Sequence, residues 1–279
     1  MAVGLSAAVA ALTFTSCSGN TTKTYQVATN AQFAPFEYMD GSTMVGFEVD
    51  LMSDISSQAG IKTKMVDMEF DAVISSVQTG AYDMACSGLT INDERKQSVD
   101  FSIPYYVSHQ EVIVKTGDPM LSMTTADEVN TALEGKTIGV CAGYTGSDYV
   151  QGDADNNWPG ISGATLKTYD NISLAITDLK AGNIDCVVMD NVPALQACNA
   201  DANKGAVEVV NVPLTDEQYG IAFKKGNTAL ETKVNNAITA LQNNGTIDQL
   251  VQKWIAGVAG DSSSADNSSA DSSAASANS

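Results

Sequence analysis

Two stretches of this chain alternate short apolar runs with helical periodicity, and that alternation restricts the fold more than any other feature. In the first, Tyr25-Gln26-Val27-Ala28-Thr29 reads as a strand and Asn30 to Phe36 as a loop. Val49, Met52, Ile55 and Ala59 then recur at helical spacing up to Gly60, which predicts a helix over Glu48–Ala59. Lys62 to Val66 reads as a second strand. Phe70 opens a second helix with Val73, Ile74 and Val77 on one face and Gly80 as its stop, and the apolar run Tyr82 to Ala85 reads as a third strand. Strands separated by helices run parallel with right-handed crossovers, and such sheets place ligands beyond the carboxyl ends of their strands. Asn30 and the segment Ser87 to Thr90 both fall at those ends, so they are expected to line one crevice.

The rhythm begins again from about Gln110. Thr137 to Cys141 reads as a strand, followed by Gly143-Tyr144-Thr145-Gly146-Ser147, whose glycines let the backbone turn its N–H groups toward an anion before a helix starts. Ala164 to Thr168 is a strand, Ile172 to Ala181 a helix, and Ile184 to Met189 an apolar strand ending in Asp190. No residue-level repeat links the two units; only the rhythm recurs. Val207 to Val212 and Tyr219 to Phe223 are strand-like, Leu230, Val234, Ala237, Ile238 and Leu241 mark a long amphipathic helix, and Ile247, Leu250, Val251 and Trp254 mark another. A length of 279 residues suits two such α/β units.

Between the units, Asn92 with Asp93 and Glu94 is a helix-start signature that puts Arg95 in a first turn at a strand-to-helix junction. Free backbone N–H groups favour an anion there, and a guanidinium beside them can grip a carboxylate with two parallel hydrogen bonds. An isolated arginine at such a place would more often pair with Asp93 or Asp100 at the surface. Asp190, taken alone, could equally be a turn residue or a helix N-cap.

The charge balance, 33 acidic against 14 basic residues for a net −19, repels nucleic acid and anionic membrane surfaces, and neither is expected as a partner. The N-terminus from Met1 to Cys17 reads as an export signal too short to remain as a spanning helix. Its Phe14-Thr15-Ser16-Cys17 resembles the lipobox of bacterial lipoproteins, making Cys17 the expected lipidation site, although no Lys or Arg precedes Lys23. Residues 18–24 are expected as a linker and 258–279 as a disordered tail of Ser, Ala, Asp and Asn. Cys86, Cys141, Cys186 and Cys198 contain no C-x-x-C pair, so no metal and no cofactor is expected. A Cys186–Cys198 disulfide stays open.

Six blocks, in order, resemble the solute-binding proteins of polar amino-acid ABC transporters, the glutamine-binding-protein-like family 3, over Tyr25 to Gly257. They are Asn30 to Tyr38 (NAQFAPFEY), Gly46 to Leu51 (GFEVDL), Gly88 to Arg95 (GLTINDER), Asp100-Phe101-Ser102 with Pro104-Tyr105-Tyr106, Tyr219 to Phe223 (YGIAF), and Lys253-Trp254. The resemblance implies a two-lobed, type II periplasmic-binding-protein-like α/β fold whose lobes are joined by two crossing strands. Lobe 1 would comprise 25–108 and 213–257 and lobe 2 109–212, with crossings near Ser108 and Val212. It also implies that Arg95 holds a ligand α-carboxylate with the Thr90 backbone and the N–H groups of Thr145 and Gly146. Asp190, the Gly88 carbonyl and the Thr90 hydroxyl would hold the α-ammonium. Phe33 and Phe70 would sandwich the ligand side chain, with Tyr144 at the rim, while Asn30, Phe33, Phe70, Ser87, Cys141 and Met189 would set specificity.

Members that take lysine or arginine commonly carry an acid where this chain has Asn30, so a neutral amino acid is expected. The implied partners are a free amino acid, ABC permease subunits and the membrane through a lipid anchor, outside the cytoplasm, with the protein monomeric. Some relatives catalyse dehydration of cyclohexadienyl acids, but that chemistry needs a general acid or base with a shifted pKa. The crevice offers only Asp190, which the ammonium would occupy, and no histidine, since His109, the only one, sits at a crossing. A binding protein rather than an enzyme is the expectation, with a ligand-sensing domain as the other alternative.

Overall fold

The computed structural model describes residues 23–259. The export signal with Cys17, most of the linker and the tail from residue 260 lie outside the described residues. The chain opens with β1 (Thr24–Thr29), then a small antiparallel sheet of β2 (Gln32–Phe33), β3 (Glu37–Asp40) and β4 (Thr43–Val45), β2 falling within the stretch Asn30 to Phe36 expected as a loop. Next come α1 (Phe47–Ala59), β5 (Lys62–Asp67), α2 (Phe70–Thr79), β6 (Met84–Ala85), α3 (Asp93–Ser98) and β7 (Val99–Phe101). The crossing segment is β8 (Tyr106–Ser108). It leads into β9 (Gln110–Lys115), a 3-10 turn over Pro119–Ser122, α4 (Ala126–Leu133), β10 (Thr137–Cys141), α5 (Thr145–Gln151), β11 (Thr165–Tyr169), α6 (Ile172–Ala181), β12 (Cys186–Asp190), α7 (Asn191–Asn199) and β13 (Val207–Val210). The chain returns through β14 (Glu217–Tyr219) and β15 (Ala222–Lys224) to α8 (Thr228–Asn243), α9 (Thr246–Trp254) and α10 (Ala256–Ala259), the last running into the span expected as tail.

Two five-stranded sheets result, in the orders β5-β1-β6-β15-β7 and β11-β10-β12-β9-β13. In each, the expected strand–helix alternation gives parallel neighbours: β1 with β5 and β6, β10 with β11 and β12. The strands that enter from elsewhere in the chain, β15 in the first sheet and β9 in the second, pair antiparallel. Between the sheets, β8 pairs with β14 in a two-stranded ribbon, Ser108 opposite Glu217 and Tyr106 opposite Tyr219, so the second crossing lies later in the chain than Val212, whose side chain packs in the second lobe.

Apolar residues at strand and helix spacing meet as expected. Ala28, Val73, Val77, Ala85, Leu89 and Val99 close α2 onto the first sheet, and Val112, Val129, Leu133, Ile138, Val140 and Val188 form a core in the second. Burying each Val, Leu or Ile side chain among them contributes about 1.5–3 kcal/mol, so these cores fix the walls on which the polar groups are mounted. Cys186 and Cys198 are free and buried, without the disulfide left open above; burial pushes both thiols up to about 12, so they behave as small apolar residues. Among the described residues no helix is long and apolar enough to cross a membrane.

Candidate functional site

The carboxyl ends of β1 and β6 and the loop into α3 face the start of α5 and the end of β12 across a narrow cleft. Phe33, Phe70, Ser87, Gly88, Thr90 and Arg95 from one side and Tyr144, Thr145 and Asp190 from the other line a single cavity. Its volume is about 10 Å3, room for about one water, because the lobes are closed on each other and rings fill the gap. Tyr144 stands 4.5 Å from Phe70 and 5.6 Å from Phe33, centroid to centroid, and Phe33 stacks on Phe36 at 5.5 Å.

Arg95 is placed by its own helix start. The Asn92 side chain accepts from the Arg95 N–H at 2.8 Å, fixing the first turn of α3, and the guanidinium then reaches back along the cleft. It donates to the Thr90 carbonyl at 3.1 Å and, across the cleft, to the Gly143 carbonyl at 3.0 Å, with its carbon 5.8 Å from the centre of the Phe70 ring. No carboxylate lies within salt-bridge distance of it among the described residues, so neither Asp93 nor Asp100 claims it. Burial lowers its pKa, opposed by the fields of Asp148, Glu217 and Asp190.

Asp190 closes β12 and occupies the N-cap position of α7, yet its side chain makes no capping bond. It accepts instead from the Tyr219 hydroxyl at 2.5 Å, with Ser108 at 3.5 Å. Burial, then the nearby Glu217, raises its carboxyl to about 6. Asp190 thus holds the N-cap position allowed for it, but its side chain faces the cavity instead of bonding its own helix.

Beneath the floor lies a layer the sequence reading missed. Glu48 accepts from the Gly88 N–H at 2.8 Å, the Tyr105 hydroxyl and the Cys86 thiol, and Glu37 accepts from the Ser87 hydroxyl at 2.9 Å. Burial raises both carboxyls, Glu37 well above the usual range with Glu48 adding to the effect. Ser87 in turn accepts from the Asn30 N–H at 2.9 Å, and the Asn30 side chain donates to the Met68 carbonyl at 2.8 Å. Asn30 therefore backs the cavity wall rather than lining it.

Cys141 and Met189 are buried in the same apolar cluster as Tyr144 and also do not line the cavity. Gly146 lies behind Thr145, where an added Cβ would come within 2.8 Å of the Gln110 side-chain oxygen and 2.9 Å of the Val188 carbonyl; glycine there lets α5 press on β12. The N–H groups of Thr145 and Gly146 open α5 and have no carbonyl within the helix to bond. Tyr144, expected at the rim, stands among the lining rings.

A guanidinium on α3 and a carboxylate at the end of β12, facing one cavity from opposite walls, form an arrangement suited to a small zwitterion. Residues 25–257 match the model of the bacterial extracellular solute-binding proteins, family 3. The chain belongs to that family. A probable histidine-binding protein of Neisseria gonorrhoeae is 33% identical over 260 residues, covering 89% of this chain and 93% of that relative. Two solved structures share this family member's two-lobed, type II periplasmic-binding-protein fold. One is an ancestral arginine-binding protein bound to glutamine, with 37% identity, a TM-score of 0.71, and 83% of this chain and 97% of that one covered. The other is an ancestral amino acid-binding protein described as a precursor of cyclohexadienyl dehydratase, with 30% identity, a TM-score of 0.69, and 83% and 95% covered.

Proposed function

We propose that this family member is the extracytoplasmic receptor of an ABC importer, closing its two lobes around a free amino acid and delivering the closed form to the permease. The observation that carries this reading is the opposition of Arg95 and Asp190 across one cavity. A zwitterion taken out of water loses several kcal/mol unless each charge meets its opposite with hydrogen bonds filled, and these two groups offer that match only when the lobes are together. In the bound state Arg95, the Thr90 backbone and the Thr145 and Gly146 N–H groups take the carboxylate. Asp190, the Gly88 carbonyl and the Thr90 hydroxyl take the ammonium, and Phe33, Phe70 and Tyr144 enclose the side chain. Micromolar or tighter affinity, about −8 kcal/mol or better, suits scavenging.

A neutral side chain is the finer reading, because the cavity lining carries no acid besides Asp190, which the ammonium takes. A basic amino acid is the second reading, favoured by the names of the relatives above. Titration calorimetry with the common amino acids separates the two: tight binding of arginine or histidine alone overturns the neutral reading, and binding of none overturns the receptor. Cys17 is proposed as a lipid anchor, and an unmodified mature peptide beginning elsewhere, seen by mass spectrometry, would remove it.

A further inference from the structure

Of the buried acids outside the cavity wall, Glu217 has partners that no structural role in a single lobe requires. It sits on β14 with Tyr219, and the period of a strand turns both inward while Gln218 faces out. One carboxylate oxygen accepts from the Thr90 hydroxyl at 2.6 Å and from the Thr145 hydroxyl at 2.7 Å; the other accepts from Thr215 at 2.7 Å. Thr90 belongs to one wall of the cleft and Thr145 to the other, and both line the cavity. A single oxygen on the crossing ribbon thus takes a proton from each wall.

A threonine hydroxyl carries one proton and two lone pairs, and a carboxylate can only accept. Glu217 therefore spends the protons of both hydroxyls. The Thr145 oxygen already accepts from the Gln110 side chain at 3.2 Å, whereas the Thr90 oxygen has no such donor among the described residues and keeps its lone pairs for the cavity. A hydroxyl with its proton committed accepts from an ammonium and repels a carboxylate.

We propose that Glu217 is a positioning residue of the ligand site: it clasps Thr90 to Thr145 as the lobes close and fixes the Thr90 hydroxyl as an acceptor for the ligand's ammonium. This rests on the amino-acid reading above. Glu217 does not touch the ligand; it acts through the two threonines, and its place on the ribbon makes the clasp available only when both walls arrive.

The test compares the full chain with Glu217→Gln, Glu217→Ala, Thr90→Val and the double Glu217→Gln/Thr90→Val. Each is titrated with L-glutamine, L-arginine and L-histidine, and its radius of gyration is measured by small-angle scattering with and without amino acid; circular dichroism melts confirm folding. Glu217→Gln is expected to weaken binding about tenfold or more, Thr90→Val by a similar factor, and the double variant no further than the worse single, since both remove one contact. Glu217→Ala is expected to scatter as a more open particle than wild type. Should Glu217→Ala not fold, Thr145→Val breaks the same clasp from the other wall and carries the same scattering expectation. Binding by Glu217→Gln within about twofold of wild type, or losses that multiply in the double variant, overturns the proposal. If wild type binds none of the amino acids, the receptor reading falls separately, and scattering still decides the clasp: an unchanged radius in the folded ligand-free variant contradicts it, a larger one supports it.

Discussion

Asp190 is the residue whose chemistry depends most on its surroundings. Held at about 6 by burial and by Glu217, its carboxyl is ionised at neutral pH and becomes protonated in mild acid. The raised value means the folded state binds more protons than the unfolded chain between the ordinary aspartate value and about 6. Asp190 thus stabilises the ligand-free fold below that window, and the benefit is lost as pH rises through it. Binding runs the other way, because an ammonium pairs with the carboxylate and not with the acid. Calorimetry from pH 7.5 down should therefore show affinity holding to about pH 6 and then falling by up to about tenfold per unit. Asp148, which burial also raises to about 6 against the pull of Arg95, provides the control: Asp148→Asn should leave that midpoint in place. A flat profile between pH 7 and 5 would show that Asp190 does not meet the ligand's charge.

Two elements place the site by local geometry. Asn92 caps α3 through the Arg95 N–H, so Asn92→Ala should cost about 1 kcal/mol of stability, seen as a lower thermal midpoint, and weaken binding because the guanidinium loses its fixed first turn. Unchanged affinity with a lowered midpoint would separate the cap from the site. Gly88 turns the chain at a φ of 54°, and an added Cβ would lie 2.5 Å from the Phe33 ring. Gly88→Ala should then cost on the order of 1–3 kcal/mol and displace that ring, reducing affinity with it; a variant as stable and as tight as wild type would contradict the account.

The cap was legible in the sequence because it rests on contacts a few residues apart; local pattern put Arg95 at a helix start and Asp190 at a strand end, and only the family resemblance set the two on one cleft. Strands of two or three residues, β2 to β4, carry too little period to be read. One expected strand at Tyr219 to Phe223 is two, because the chain leaves the ribbon and joins the first sheet at Gly220, where an added Cβ would meet Ile91 at 2.7 Å. Glu217 and the Glu37–Glu48 layer bond to partners remote in the chain, which no local pattern announces. Asn30, expected to line the crevice, stands one layer behind the cavity wall for the same reason: its partners Ser87 and Met68 come from other parts of the chain.

At the scale of the molecule, two sheets are joined by a paired ribbon, by a cleft lined with opposite charge and by the packing of α10 on α7, and one buried apolar cluster runs through both lobes. Arg95 and Asp190 take no part in the apolar packing, so substituting either should leave both lobes folded. The most direct measurement is titration calorimetry of wild type, Arg95→Ala and Asp190→Asn with the common L-amino acids. The account predicts micromolar or tighter binding of at least one of them by wild type, and its loss in both variants while their thermal melts remain cooperative. Full affinity in a folded Arg95→Ala protein, or no binding by wild type, would contradict it.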